Sequence, residues 1–100
     1  MSIPQKMKST TRLILDSVDL YATTDLIARL QQGTELFEFP LSVVESHVAI
    51  LGIDKATAEK LSEKKPVEVQ ILWNDEYGMP HRTNIRAVTV DRILGGGFGD

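Results

Sequence analysis

The stretch from Val67 to Trp73 constrains the fold more than any other part of the chain. Val67, Val69, Ile71 and Trp73 alternate with Glu68, Gln70 and Leu72, the two-residue period of a strand with one buried face. A loop dense in turn formers follows, Asn74-Asp75-Glu76-Tyr77-Gly78-Met79-Pro80. A second β-rich run then sets Thr83, Ile85, Ala87 and Thr89 on one face and Arg86, Val88 and Val90 on the other. Two strands joined by such a loop are expected to pair antiparallel.

Further strand character lies upstream, in Arg12 to Leu15, Phe37 to Leu41 and His47 to Leu51. Asp54 reads as a helix N-cap, with Ile53 as a staple against Ala58 and a short helix through Lys55 to Ser62 that stops before Pro66. Thr23 to Gly33 supports two readings. As a helix, Thr24 caps, Asp25 sits in the first turn, Leu26, Ile27 and Leu30 form one stripe, and Gly33 ends it. As a strand, Leu26, Ala28 and Leu30 face inward while Ile27, Arg29 and Gln31 face outward. With the strand, six or seven short strands at this spacing predict a mainly β antiparallel sandwich with one short helix. With a helix over 24–32 the fold becomes α+β, that helix lying on an antiparallel sheet.

The 100 residues match one domain and one core, and folding at that length buries roughly two-thirds of the unfolded chain's surface. Residues 1–9 are polar, contain Pro4, and read as a flexible arm; 10–94 form the domain; 95–100, Gly-Gly-Gly-Phe-Gly-Asp, read as a flexible glycine-rich tail. No apolar run approaches the ~20 residues of a membrane span, and no apolar segment follows Lys8 as a leader would require.

The same residues narrow the chemistry. With no cysteine, disulfide scaffolds, thiolate zinc sites and cysteine nucleophiles drop out. A net charge of −3 argues against a grip on a phosphate backbone, and Lys60, Lys64 and Lys65 alternate with Glu59 and Glu63 as a solvated face does. His47 and His81 each stand without a second metal ligand at helical spacing. Asp16/Asp19, Asp75/Glu76 and Glu59/Glu63 pair acids along the chain without the Asp-x-Asp-x-Asp-Gly calcium loop. Serines 17, 42, 46 and 62 lack a nucleophile elbow. The glycines of the tail lack the lysine of a phosphate loop.

These patterns predict no catalytic residue, no cofactor and no metal site. A carboxylate-dependent hydrolase would require two of Asp16, Asp19, Asp75 and Glu76 to converge in a pocket, one with a raised pKa. Tyr77, Met79 and Pro80 instead put apolar groups at a loop tip, a composition typical of contact surfaces. The alternative for Tyr77 is to fold back over the end of the sandwich.

One resemblance runs through most of residues 11–94. Its pieces are Gln31-Gln32-Gly33, Ala56-Thr57-Ala58-Glu59-Lys60-Leu61, Val67-Glu68-Val69-Gln70-Ile71-Leu72-Trp73, Gly78, Thr83 to Val90, and Arg92-Ile93-Leu94. In this line-up the chain resembles small proteins encoded by tailed bacteriophages and prophages among their virion structural genes. The departure is Tyr21 to Leu30, more helical here than in the family pattern, although the resemblance still favours the strand.

The resemblance implies an immunoglobulin-like β-sandwich that acts in a head or tail by protein–protein contact, without catalysis or cofactor. It further implies homo-oligomers or other virion proteins as partners, no membrane or direct nucleic-acid contact, and a location in the virion or, during assembly, the host cytoplasm. The rival binding role is a phage-encoded inhibitor of a single host protein. Its mark would be a concentrated acidic face, whereas the acids are dispersed along this sequence.

Overall fold

The computed structural model describes residues 9–62, 64–90, 93 and 97–99. Among the described residues, the elements run in the order β1 (Ser9–Ile14), β2 (Thr24–Gln32), β3 (Glu35–Pro40), β4 (Ser42–Glu45), β5 (Val48–Ile53), α1 (Lys55–Lys60), β6 (Val67–Asn74), β7 (Pro80–Arg82), β8 (Arg86–Val88) and β9 (Gly97–Gly99), with a 3-10 turn at Leu20–Ala22. One sheet has the order β4-β5-β1-β9. The other has the order β3-β2-β6-β7, with β8 also on β6. Every pairing is antiparallel except β1 with β9, which is parallel.

The protein is therefore a mainly β sandwich with one short helix. In immunoglobulin domains the second and third strands occupy opposite sheets; here β2 and β3 form a hairpin within one sheet.

The ambiguous segment is strand β2. Its burial alternates, with Leu26, Ala28, Leu30 and Gln32 inward and Ile27, Arg29 and Gln31 more exposed. A helical stripe would have left Ala28 outside, whereas here it is fully buried. Tertiary pairing overrides local propensity, because β2 is laddered on one side to β3 and on the other to β6. Thr24 and Asp25, the expected cap and first turn, instead form an irregularity in the β2–β6 register. Asp25 adopts a positive φ of 53° there, its carboxylate accepting from Asn74 at 3.1 Å, a conformation Asp tolerates better than most residues.

The β2–β3 turn needs Gly33, whose φ is 61° while Thr34 stays at negative φ, as a two-residue II′ hairpin requires. Helix α1 starts where expected. Asp54 accepts from the Thr57 N–H at 2.8 Å, Ile53 is fully buried, and Ala58 packs on the core.

The core fills from both sheets, with Leu13, Leu15, Ala49, Leu51 and Ile53 facing Leu30, Val67, Val69 and Ile71. Among the described residues, Thr11 and Gln32 are polar side chains buried with them. The Thr11 hydroxyl donates to the Ile93 carbonyl. Gln32, 6% exposed, donates through Nε2 to the Ser62 and Lys65 carbonyls at 2.8 and 3.0 Å and accepts from the Ser62 N–H at 2.7 Å. It pins the loop between α1 and β6 to the end of β2.

Sequence patterning did not separate β4, and it read the run after the loop as one strand. That run holds β8 alone, and β7 precedes it at the end of the expected loop. The β6–β7 register places Leu72 opposite Arg82, and the β6–β8 register places Val69 opposite Arg86, an offset of one residue. The slip occurs at Thr83, whose hydroxyl accepts from the Ile71 N–H at 3.1 Å, while its carbonyl takes the Gln70 amide at 3.0 Å. Ser9 of the expected arm begins β1; the rest of the arm lies outside the described residues. Of the tail read as flexible, residues 97–99 pair with Arg12–Ile14, and 95, 96 and 100 lie outside the described residues.

Candidate functional site

The β6–β7 hairpin and the segment between β1 and β2 meet at one end of the sandwich. That segment is anchored to the β4–β5 turn: the Leu15 N–H donates to the His47 carbonyl at 2.8 Å, and the Leu20 N–H to the Ser46 carbonyl at 2.7 Å. His47 Nδ1 lies 2.7 Å from the Val18 carbonyl. A carbonyl only accepts, so Nδ1 carries the proton. His47 thus holds a loop in place.

The hairpin tip is organised by Asp75. One carboxylate oxygen accepts from the Tyr77 and Met79 N–H groups, both at 2.9 Å, and the other lies 2.8 Å from His81 Nε2. The Asp75 carbonyl accepts from the Gly78 N–H and its own N–H donates to the Met79 carbonyl, with Gly78 at φ 82°. The hydrogen bond from His81, followed by that from the Met79 N–H, holds the Asp75 carboxyl below the usual carboxylate range. His81 stands opposite Trp73 in the β6–β7 register, and their rings stack at 5.7 Å with 9° between planes.

An open groove of about 320 Å³ lies between these parts, and Ser17, Asp19, Trp73, Asp75, Glu76 and His81 are among its lining residues. Three of the four acids named from the sequence thus share one surface, and Asp16 is not among them. Asp19, Asp75 and Glu76 lie together beside the hairpin tip. Asp75 is committed to His81 and two backbone N–H groups, and its lowered pKa is the reverse of what a proton-donating carboxyl needs. Ser17 shares the groove, but among the described residues no hydrogen bond joins it to His81. Glu59 is exposed on α1, and Glu63 lies outside the described residues. Among the described residues, no three His, Asp or Glu side chains are placed to hold a metal ion. No helix among them is long and apolar enough to cross a membrane.

Tyr77 does not fold back. It is 83% exposed and Met79 60% exposed, with Pro80 exposed beside them. The predicted contact residues therefore sit in solvent, in the chain between the groove-lining Glu76 and His81, on a loop fixed by its own backbone bonds. The Trp73–His81 stack follows from counting the hairpin register outward from its loop. The approach of Asp19 to Asp75 had no sequence signal, since it depends on how the β1–β2 segment crosses the end of the sandwich. Compared with family models, curated proteins and solved structures, the chain shows no match to any.

Proposed function

We propose that this protein works by protein–protein contact, as a structural or accessory component of a tailed-phage virion (head decoration, connector or tail), binding itself or neighbouring virion subunits. The observation that carries the contact reading is the hairpin tip. It holds Tyr77 and Met79 in solvent on a loop that Asp75 has already ordered, so little conformational entropy is lost when a partner covers them. One such tip is far smaller than a stable interface of about 1,200–2,000 Å², so repetition in an assembly supplies the strength. The virion setting, and the finer immunoglobulin-like description, rest on the resemblance of the strand and turn pieces.

The test compares wild type with Tyr77→Ser/Met79→Ser for self-association by light scattering and for incorporation into purified particles. Loss of incorporation into particles, or of assembly beyond a dimer, in the double variant, with its melting temperature unchanged, is the expected result. A wild-type protein that is monomeric at every concentration and missing from particles would refute the proposal.

A second reading is favoured by the groove. With Asp19, Asp75 and Glu76 beside the tip, the surface also suits a basic site on one host protein, as a phage-encoded inhibitor would use. A pull-down returning a single host protein, released by raised salt, would select it.

A further inference from the structure

A sheet edge is a template for another strand unless something blunts it, and the described edges differ in how they are protected. β4 has four residues and a register irregularity between Val43 and Glu45. β7 and β8 have three residues each and are offset at Thr83. β9 has three residues. β3 has six residues in unbroken register with β2, from Glu35 opposite Gln32 to Pro40 opposite Ile27, and among the described residues no strand pairs with its other side.

The register fixes which groups it offers. Just beyond Pro40, the Leu41 N–H donates to the Leu26 carbonyl at 3.0 Å, so Phe37 and Phe39 turn their backbone groups to β2. By alternation Leu36 and Glu38 turn theirs outward, and Pro40 offers a carbonyl without an N–H. Leu36 is also 53% exposed, and Phe37 and Phe39 are only half-buried at this rim.

We infer that the β3 edge is a homotypic interface, pairing antiparallel with β3 of a second copy about a two-fold axis through Phe37, with Leu36 opposite Glu38 of the other copy. The charges select this register. Centring on Glu38 would set two glutamates face to face and require an N–H from Pro40. Centring on Leu36 would run the pairing into the Gly33–Thr34 turn. Centring on Phe37 uses the outward N–H and carbonyl groups of both Leu36 and Glu38. It places Leu36 beside Glu38 of the second copy, whose charge is already met by Arg29 at 2.8 Å. Glu35 then faces Phe39 rather than a like charge. The two Phe37 side chains meet on the inner face with Cβ atoms about 4.5–5.5 Å apart. This pairing stands independently of what the hairpin tip binds, since β2 and β6 separate β3 from β7.

The experiment measures mass by light scattering from about 1 μM to about 1 mM, with amide hydrogen exchange at the same concentrations. Wild type is expected to pass from monomer to dimer, with the Leu36 and Glu38 amides gaining protection over the same range. Glu38→Pro removes an outward N–H that the fold does not use, and is expected to raise the dimer Kd by about 30-fold or more. Glu38→Ala keeps the N–H and the dimer. Tyr77→Ser/Met79→Ser leaves this dimer intact, which separates failure of the tip reading from failure of this one. A protein that stays monomeric throughout, or one that associates while Leu36 and Glu38 exchange freely, would overturn the inference. The exchange readout decides the matter even if Glu38→Pro does not fold.

Discussion

Replacing Gln32 with alanine should cost about 2 kcal/mol. The side chain makes three hydrogen bonds to the Ser62–Lys65 loop, each worth about 0.5–1.5 kcal/mol net. Ser62 and Lys65 are themselves exposed, so water can solvate the released loop groups, and the total falls in the lower half of the roughly 1.5–4.5 kcal/mol that three such bonds span. For a domain of this size, 2 kcal/mol lowers the melting temperature by about 8–16 °C. Urea unfolding followed by Trp73 fluorescence measures it directly, because Trp73 is the chain's single tryptophan; the midpoint should fall with the slope unchanged.

Gln32→Glu sharpens the test. It keeps the acceptor for the Ser62 N–H but, once ionised, turns a carboxylate oxygen toward the Ser62 and Lys65 carbonyls. The folded state then disfavours ionisation and raises the carboxyl pKa. The penalty is absent while both states are protonated and grows as pH rises past the unfolded value of about 4.3. This variant should therefore be worse than alanine near pH 7 and recover in acid. An alanine variant within about 0.5 kcal/mol of wild type, or a glutamate variant indifferent to pH, would show that the clamp contributes nothing.

Two other perturbations follow from the β6–β7 hairpin. Because the Asp75 pKa is lowered on folding, its stabilising contribution is fully present above the unfolded value of about 3.9 and is lost as pH falls through the folded one. The Asp75→Asn variant should thus melt below wild type at neutral pH and converge with it in acid, and an NMR titration placing Asp75 at or above the ordinary range would contradict this. Thr83→Val keeps the shape of the bulge but removes the acceptor of the Ile71 N–H, costing about 1–2 kcal/mol. Amide exchange at Ile71 should speed up, and an unchanged rate would mean that the hydroxyl is dispensable.

Sequence patterning reached as far as local periodicity and turn chemistry could carry it. Val67–Trp73, the Asp54 cap and the loop before Pro80 are set by neighbours within a few residues, and each emerged close to its expected place. The choice between helix and strand at Thr24–Gln32 depended on β3 and β6, so local propensity could not decide it. The bulge at Thr83 was hidden because the strand before it, Pro80–Arg82, falls at the end of the turn-rich loop, and a one-residue slip leaves no mark in composition. Tyr77, Met79 and Pro80 were legible as contact candidates from the absence of any local reason to be apolar. The groove was not, since it joins Asp19 to Asp75 across more than half of the chain.

The order in which the chain visits its two sheets has a kinetic consequence. It lays down β1 in one sheet, β2 and β3 in the other, β4 and β5 back in the first, β6 to β8 in the second, and β9 again beside β1. No contiguous half of the polypeptide contains a finished sheet. Loop closure between distant segments must therefore precede most of the burial that rewards it, which places folding in the millisecond-to-second regime of non-local β proteins. A partly folded chain has few stable stopping points, and a single cut in the β3–β4 or β5–β6 connection severs both sheets at once.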